Sequence, residues 1–188
     1  MNHHRAGGAA NYSRNTWLVA AFGSEITHAP TSRWMLDRTV VLYRRRNSDV
    51  VALDDRCPHR WAPLSLGRVI DDTIQCPYHG ITFAPNGECM KIPSQKTIVS
   101  GCAVHAYPVR EEGPFVWVWM GDPARIPEYV APLDTDCALS DAWSVASGVL
   151  EMDGNYMQLH DNVLDLTHFG FIHIGSLGIT DWIKPPKA

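Results

Sequence analysis

Four side chains that commonly bind transition metals lie in two short segments of the sequence. Cys57 and His59 form a Cys-x-His pair, and after sixteen intervening residues Cys76 and His79 form a Cys-x-x-His pair. Two thiolates and two imidazoles suit either one tetrahedral zinc ion or a [2Fe-2S] cluster with both histidines on one iron. Zinc fingers usually keep their two cysteines together and their two histidines together, whereas each segment here contributes one of each. The spacing therefore favours a two-iron centre, with structural zinc as the alternative.

A second group of metal-binding side chains follows near the end of the sequence. Asn162, Asp165 and His168 succeed one another at intervals of three residues, and His173 comes five residues later. On a helix, residues at this spacing lie close to one face. A carboxylate and two imidazoles can hold a metal ion, but a histidine in an apolar segment is equally often a core residue. Taken alone, this pattern leaves both interpretations open.

The elements around the first group are predicted to be short strands. Runs of β-branched and apolar residues, separated by turn-forming residues, occur at 15–21, 39–43, 50–53, 73–75, 81–83, 103–109 and 115–120. Regular short strands with Gly- and Pro-rich turns predict an antiparallel all-β domain. The run at 50–53 leads directly into the first metal-binding segment and the run at 73–75 into the second. The four ligands are therefore expected at the tips of two hairpin loops.

The pattern changes after residue 120. Residues 121–139 are rich in proline and acidic side chains, which indicates a linker. The segment 143–152 alternates apolar and small residues and is predicted to be a strand, and 154–168 has apolar residues at helical spacing. We predict four segments: a flexible tail at 1–14, the all-β domain at 15–120, the linker at 121–139 and the start of a second domain at 140–188.

The composition indicates which cellular compartment and which partners to expect. The 188 residues, 45% hydrophobic and 19% charged, describe an ordinary globular protein. A net charge of -4 gives no reason to expect nucleic acid or an anionic membrane as partner. Because neither a signal peptide nor an apolar run of membrane-spanning length is found, we expect a cytoplasmic protein. Three of the five cysteines, Cys89, Cys102 and Cys137, are then expected to be free thiols.

The residues around the first group resemble the Rieske signature. The matching pieces are C-P-H-R at 57–60, P-L-S-x-G at 63–67 and C-P-Y-H-G at 76–80. The resemblance implies a [2Fe-2S] cluster with four protein ligands, Cys57, His59, Cys76 and His79. Gly67 and Gly80 are expected to permit tight loops whose backbone N–H groups point at the cluster sulfurs.

The second group resembles the catalytic motif of Rieske non-haem iron oxygenases, N-x-x-D-x-x-H-x4-H. The resemblance implies that His168 and His173 bind a mononuclear Fe(II) as two members of a 2-His-1-carboxylate triad. The family's third ligand is an aspartate far downstream, which we expect to be missing from this chain. Asp165 is implied as a catalytic residue that hydrogen-bonds a ligating histidine and connects it to His79 of the partner subunit in a homotrimer.

Four longer pieces indicate a branch of that family. They are N-x-W-x-V-A-A at 15–21, CPHR-x-APLS-x-G at 57–67, W-x-W-x-GDP at 117–123 and DN-x-x-DLTH at 161–168. These pieces resemble the aromatic O-demethylase and phthalate-type oxygenases, among them vanillate demethylase. In such enzymes a ferredoxin or flavin reductase passes electrons from NAD(P)H to the cluster. The iron then uses O₂, as a mono- or dioxygenase, to hydroxylate or O-demethylate an aromatic compound.

The resemblance therefore predicts an oxygenase α-subunit, truncated at its C-terminus. Its fold would be an all-β Rieske domain with two cluster-binding hairpin loops, followed by the start of an α+β catalytic domain. One alternative is a Rieske ferredoxin-like electron carrier, to which the motif at 162–173 would be surplus; another is a catalytically incomplete fragment. A respiratory-complex Rieske protein is disfavoured, because Ala62 and Tyr78 occupy the positions of its loop disulfide.

One basic stretch has two interpretations. Arg44, Arg45 and Arg46 follow one another at the predicted turn between two strands. They are either a solvated hairpin tip or a docking patch for an acidic electron donor.

Overall fold

Short antiparallel strands make up the first part of the chain, as the sequence predicts. The structure is a computed structural model, and it describes residues 12–128, 140, 142–144, 146 and 148–173. The chain divides into two compact units, 1–144 and 145–188. Most of the predicted tail, the end of the predicted linker and Cys137 lie outside the described residues.

The described part of the first unit contains three antiparallel sheets. Their strands are β1 Trp17–Phe22, β2 Thr31–Met35, β3 Arg38–Arg44, β4 Val50–Asp54, β5 Arg68–Ile70, β6 Thr73–Gln75, β7 Thr82–Phe83, β8 Cys89–Lys91, β9 Ala106–Tyr107, β10 Val109–Glu112 and β11 Phe115–Trp119. The strand orders are β1-β11-β10, β2-β3-β4-β9 and β5-β6-β7-β8. Short 3-10 turns occupy Gly23–Glu25, Leu64–Leu66 and Pro123–Glu128. The prediction of an antiparallel all-β domain is confirmed.

Strand β3 separates two hydrophobic cores, which explains its unbroken apolar sequence. Successive side chains of a strand point to opposite faces. Val40 and Leu42 accordingly enter a core that also contains residues of β1 and β11. Val41 and Tyr43 enter a second core, which contains the two predicted cysteine ligands. All four side chains are fully buried. The second core therefore packs around the two cysteines of the predicted metal centre.

Three strands were not predicted from the sequence. β2 has the exposed Trp34 and alternating polar residues, and β5 and β8 are only three residues long. All three are defined by pairing with a neighbouring strand, a contact that the sequence of the strand itself does not encode.

The predicted strand at 143–152 is wrong. Its described residues have no strand conformation, and Trp143, Val149 and Leu150 are exposed. Alternating apolar residues form a strand only where a neighbouring strand accepts their backbone hydrogen bonds, and the described part of the chain supplies none here.

The second unit is helical where it is described. α1 spans Tyr156–Leu164, a 3-10 turn spans Leu166–His168 and α2 spans Phe169–Ile172. Asn155 caps α1 by accepting a hydrogen bond from the Met157 N–H at 2.9 Å. The helix predicted over 154–168 is interrupted because Asp165 leaves the helical conformation (φ -92°, ψ 92°) and caps the next turn. No described helix has the length and apolar content needed to cross a bilayer.

Candidate metal centres

The first predicted ligand segment forms a closed turn directly after β4. We call residues 57–62 the first ligand loop. The N–H of Cys57 donates to the carbonyl of Ala62 at 2.9 Å, and the N–H of Trp61 donates to the carbonyl of Cys57 at 2.8 Å. Trp61 has a left-handed backbone with φ 60°. Two hydrogen bonds and one left-handed residue therefore fix this loop.

The second predicted ligand segment repeats this backbone after β6. We call residues 76–81 the second ligand loop. The N–H of Cys76 donates to the carbonyl of Ile81 at 2.8 Å, and the N–H of Gly80 donates to the carbonyl of Cys76 at 3.1 Å. Gly80 is left-handed with φ 71°, at the position equivalent to Trp61. The two loops thus share one hydrogen-bond frame, although their histidines follow the cysteines at different spacings.

The structure brings the four predicted ligands together as one pair of thiols and one pair of imidazoles. The thiols of Cys57 and Cys76 interact with each other and are only 1% and 2% exposed. The imidazoles of His59 and His79 are exposed, and their ring centroids are 4.6 Å apart at an angle of 63°. Sulfur donors lie inside and nitrogen donors outside, as a cluster with both cysteines on one iron and both histidines on the other requires.

The same arrangement bears on the zinc alternative. A structural zinc ion needs four ligands converging on one point. Among the described residues, no three His, Cys, Asp or Glu side chains are grouped to hold a single ion. Each iron of the two-iron centre needs only two protein ligands, so two separate pairs fit a cluster better than zinc.

The environment of Cys57 keeps its thiol protonated until a metal binds. Burial and the neighbouring Cys76 thiol raise the pKa of Cys57 to about 11, although the backbone N–H of His59 opposes this by donating to the sulfur. Since a metal binds the thiolate, cluster assembly must release this proton. The first ligand loop thus directs one backbone N–H, that of His59, at a sulfur, as expected, whereas the N–H groups of Gly67 and Gly80 themselves donate to the carbonyls of Leu64 and Cys76.

Gly67 is required for another reason. A Cβ atom at this position would lie 2.0 Å from the carbonyl oxygen of Gln75, the last residue of β6. The segment between the loops can therefore approach β6 only where the side chain is absent. This contact keeps the two ligand loops close together.

A buried carboxylate that the sequence did not reveal supports the first ligand loop. Asp55 is 5% exposed and accepts hydrogen bonds from the Ser32 hydroxyl at 2.8 Å, the Ser65 N–H at 2.7 Å and the Ser65 hydroxyl at 2.6 Å. These bonds join β2 to the segment that follows the loop. The signal for this role in the sequence was the position of Asp55, an acidic residue between an apolar strand and the predicted ligand Cys57.

Each ligand loop also carries an exposed aromatic side chain. Tyr78 is 65% exposed and its ring centroid is 4.1 Å from that of His79. Trp61 is 67% exposed, and the guanidinium of Arg56 lies 4.1 Å from its ring centroid.

The three consecutive arginines are engaged within the chain. Arg44 donates two hydrogen bonds to the carboxylate of Glu111, at 2.9 and 2.8 Å. Arg45 and Arg46 are paired with Asp49 and Asp71 at 3.4 and 2.7 Å. These contacts favour the interpretation as a hairpin tip over a docking patch.

The second unit places the other two predicted iron ligands near each other. The ring centroids of His168 and His173 are 5.3 Å apart. The Nε2 atom of His168 is buried and has no hydrogen-bond partner among the described residues. A buried imidazole nitrogen without a partner is costly unless something else binds it, so His168 has the chemistry of a metal ligand.

Asp165 has a local role in the described structure. Its Oδ1 accepts from the N–H and the hydroxyl of Thr167, at 3.0 and 2.5 Å. These hydrogen bonds, with a smaller contribution from His168, lower the pKa of the Asp165 carboxyl. Asn162 is exposed on α1. The carboxylate is thus held ionised next to a predicted iron ligand.

Comparison with known protein families agrees with both units. Residues 16–108 match the Rieske [2Fe-2S] domain, and residues 152–187 match the vanillate O-demethylase oxygenase C-terminal domain. The fold and the two ligand loops are therefore those of a Rieske [2Fe-2S] protein.

Several individual proteins are similar to this chain over most of its length. The iron-sulfur subunit of the toluene-4-sulfonate monooxygenase system of Comamonas testosteroni is 41% identical, over 89% of this chain and 48% of that protein. The oxygenase component of dicamba O-demethylase of Stenotrophomonas maltophilia is 38% identical, over 86% and 48%. The crystal structure of dicamba monooxygenase bound to dicamba superposes with a TM-score of 0.79, at 38% identity over 86% of this chain and 48% of that one.

The chain thus combines a Rieske [2Fe-2S] domain with a segment of the vanillate O-demethylase oxygenase C-terminal domain, and it is related in sequence to Rieske oxygenase subunits such as that of vanillate O-demethylase. It spans about half the length of the curated relatives it matches.

Proposed function

We propose that this chain is part of the oxygenase component of a Rieske non-haem iron system. Such a component receives electrons from a reductase and uses them, with O₂, to hydroxylate or O-demethylate an aromatic compound. The observation that carries the proposal is the pairing in the ligand loops, with two buried thiols beneath two exposed imidazoles.

The four ligands have different tasks in this proposal. Cys57 and Cys76 hold the inner iron within the second core, where burial excludes water from the thiolates. His59 and His79 hold the outer iron at the surface, where an electron-transfer partner has access to the imidazole edges. When bound, the [2Fe-2S] cluster accepts and donates one electron at a time. Without a loop disulfide, its potential should lie in the lower part of the range of about -150 to +300 mV.

His168 and His173 are proposed to bind the mononuclear Fe(II). The unpartnered Nε2 of His168 and the nearby ring of His173 support this assignment. Asp165 is proposed to orient His168 and to connect it to His79 of the partner subunit in a homotrimer. The Thr167 hydrogen bonds would help this role by holding the carboxylate ionised and in one orientation.

The substrate is proposed to be an aromatic compound. Proteins similar to this chain include enzymes named for toluene-4-sulfonate, dicamba, chloroacetanilide and vanillate, each of which contains an aromatic ring. Electrons would come from NAD(P)H through a ferredoxin or flavin reductase. We further propose a cytoplasmic location and the domain boundaries given above, with the catalytic domain beginning near residue 140.

Metal analysis tests the proposal. Protein purified without oxygen should contain [2Fe-2S] iron and equal acid-labile sulfide, with the low-g EPR signal of a reduced Rieske cluster, plus one further iron. One zinc ion and no sulfide would contradict the proposal.

The second iron site has a matched control within the same unit. Replacing both His168 and His173 with alanine should remove the further iron and leave sulfide and the EPR signal unchanged. His160→Ala, on the exposed surface of α1, should retain all of the iron. A wild-type protein that binds the cluster but no further iron would instead indicate an electron carrier or a catalytically incomplete fragment.

A further inference from the structure

Two cysteines that the proposed metal centres do not use face each other across a short strand pairing. Glu88 and Ala103 form an antiparallel bridge, and the N–H of Val104 donates to the carbonyl of Gly87 at 2.9 Å. In this register the next opposed pair is Cys89 and Cys102. Opposed residues in antiparallel strands have Cα atoms about 4.5 to 5.5 Å apart, which lies within the range of about 4.4 to 6.8 Å found in disulfides.

The side chains of this pair also meet. The thiols of Cys89 and Cys102 are within interaction distance of each other. Cys89 is buried in the second core, against which the partly exposed Cys102 packs. One thiol is therefore accessible to a small reagent, and the other is positioned behind it.

The chemistry open to this pair is limited. The described residues contain no third His, Cys, Asp or Glu that would complete a single-ion metal site with these two thiols. Among the described residues, no hydrogen bond joins either thiol to a carboxylate or imidazole; the Cys89 thiol donates a long hydrogen bond to the carbonyl of Lys91, at 3.9 Å. Two opposed thiols without other ligands can form a disulfide.

We propose that Cys89 and Cys102 form a reversible dithiol–disulfide pair that a low-molecular-weight disulfide such as oxidised glutathione closes. The Cys102 thiol loses its proton to solvent and attacks one sulfur of oxidised glutathione, and one glutathione leaves. The Cys89 thiol then loses its proton and attacks the Cys102 sulfur of the mixed disulfide, and the second glutathione leaves. Two protein thiols are oxidised while one glutathione disulfide is reduced to two thiols.

Closure would fix the segment between the two cysteines. This segment contains Pro93, whose ring lies against Gly80 of the second ligand loop. It also contains the exposed side chains of Met90, Ile98 and Val99. The disulfide would therefore restrain a segment that contacts the second ligand loop, and the oxidised protein should melt at a higher temperature than the reduced protein.

Mass spectrometry tests the proposal on the full, cluster-containing chain. The protein is incubated without oxygen with excess oxidised glutathione, quenched with acid, alkylated with N-ethylmaleimide and digested. We expect one peptide pair joined through Cys89 and Cys102, which separates after reduction with dithiothreitol. Finding both cysteines alkylated, or Cys102 joined to another cysteine, would overturn the proposal.

Three variants separate the steps. Cys89→Ser should trap Cys102 as a mixed disulfide with glutathione, because the resolving thiol is gone. Cys102→Ser should give neither product, because the remaining thiol is buried. Cys137→Ser, which removes the fifth cysteine, should leave the linkage intact. A mixed disulfide that persists in the wild type would refute the pair. The visible spectrum reports the cluster throughout, so failure of the thiol pair is distinguishable from failure of the proposed function.

Discussion

The two ligand loops have the same backbone hydrogen bonds but different sequences and different supports. In each, the cysteine N–H donates to the carbonyl five residues later, and its carbonyl accepts from the N–H four residues later. The left-handed residue is Trp61 in the first loop and Gly80 in the second. The conserved feature within this molecule is therefore the hydrogen-bond frame, and each loop reaches it with different residues.

The space around each left-handed residue explains the difference in residue type. A Cβ atom on Gly80 would lie 3.2 Å from Cγ of Pro93, which is closer than ordinary van der Waals contact. Trp61 projects into solvent, where the stacked Arg56 covers its ring. A side chain is thus tolerated in the first loop, at the cost of a strained φ, and is excluded from the second.

The residue two positions before each cysteine also differs. Asp55 anchors the first loop through hydrogen bonds to Ser32 and Ser65. Ile74, the equivalent residue before the second loop, is fully buried in the second core. One loop is held by directional polar contacts and the other by packing.

The largest expected effect tests whether the loops are equivalent as ligand sources. Cys57→Ser and Cys76→Ser should each abolish the cluster, because each removes one of only two ligands of the inner iron. Acid-labile sulfide and visible absorption are the measurements. Cys89→Ser is the matched control, since Cys89 is buried in the same core, and it should retain the cluster. Retention of sulfide in either ligand variant would show that the loops are not equivalent.

The second prediction compares Asp55 and Ile74, the residues that support the first and the second ligand loop. Asp55→Ala should lower the free energy of unfolding by about 3 kcal/mol, because it removes the charged acceptor of the three hydrogen bonds donated by Ser32 and Ser65. Asp55→Asn retains an acceptor and should cost less, about 1 kcal/mol. Ile74→Ala should cost a similar amount to Asp55→Ala, about 3 kcal/mol, through a cavity. Urea unfolding provides the values, and equal losses in Asp55→Ala and Asp55→Asn would show that the hydrogen bonds are not the cause.

The sequence was sufficient for the features that are local. The strands that lead into each loop follow from apolar runs, and the pairing of the predicted ligands, two buried thiols and two exposed imidazoles, follows from residue types at short spacing. Asp55 and Gly67 were different, because their importance arises from Ser32, Ser65 and Gln75, which are distant or lie across a strand pairing. No local pattern reveals such partners.

In the second unit, too, part of the structure could not be predicted from local sequence. Helical spacing correctly placed α1, but the sequence did not predict that Asp165 would end it by capping Thr167. The segment 143–152 has the alternation of a strand but no strand partner among the described residues. Periodicity reports which conformation a segment favours, whereas side-chain capping and strand partners decide where that conformation stops.

A smaller effect distinguishes the left-handed positions. Gly80→Ala should lower the free energy of unfolding by about 1 to 2 kcal/mol, because a left-handed backbone is unfavourable for an L-residue, and Pro93 must also move. Trp61→Gly should be nearly neutral, because relief of the same strain is offset by two losses: about 0.5 to 1 kcal/mol of stacking with Arg56, and about 0.4 to 1 kcal/mol from the greater backbone freedom of glycine in the unfolded chain. Thermal and urea unfolding measure both. Equal destabilisation by the two changes would show that the loops do not differ here.

The smallest effect concerns the tyrosine hydroxyls that hold the approach to each loop. The Tyr107 hydroxyl donates to Oδ1 of Asp54, the last residue of β4, at 2.5 Å. The Tyr43 hydroxyl donates to the carbonyl of Asp72, in the turn before β6, at 3.0 Å. Burial raises the pKa of both tyrosines, and the hydrogen bond and charge of Asp54 raise that of Tyr107 further.

These raised pKa values make the fold less stable in alkali. Above about pH 10 a tyrosine in the unfolded chain loses its proton, while Tyr43 and Tyr107 keep theirs in the folded state. The unfolded state then binds fewer protons, so the free energy of unfolding falls as the pH rises, by at most about 1.4 kcal/mol per pH unit for each tyrosine. Tyr43→Phe and Tyr107→Phe should each flatten this decline in urea unfolding followed by circular dichroism, whereas Tyr78→Phe, at the surface, should follow the wild type. If only one of the two Phe variants flattened the decline, alkali would destabilise the fold through the strand or turn that leads into one loop only, and the two loops would differ in this respect.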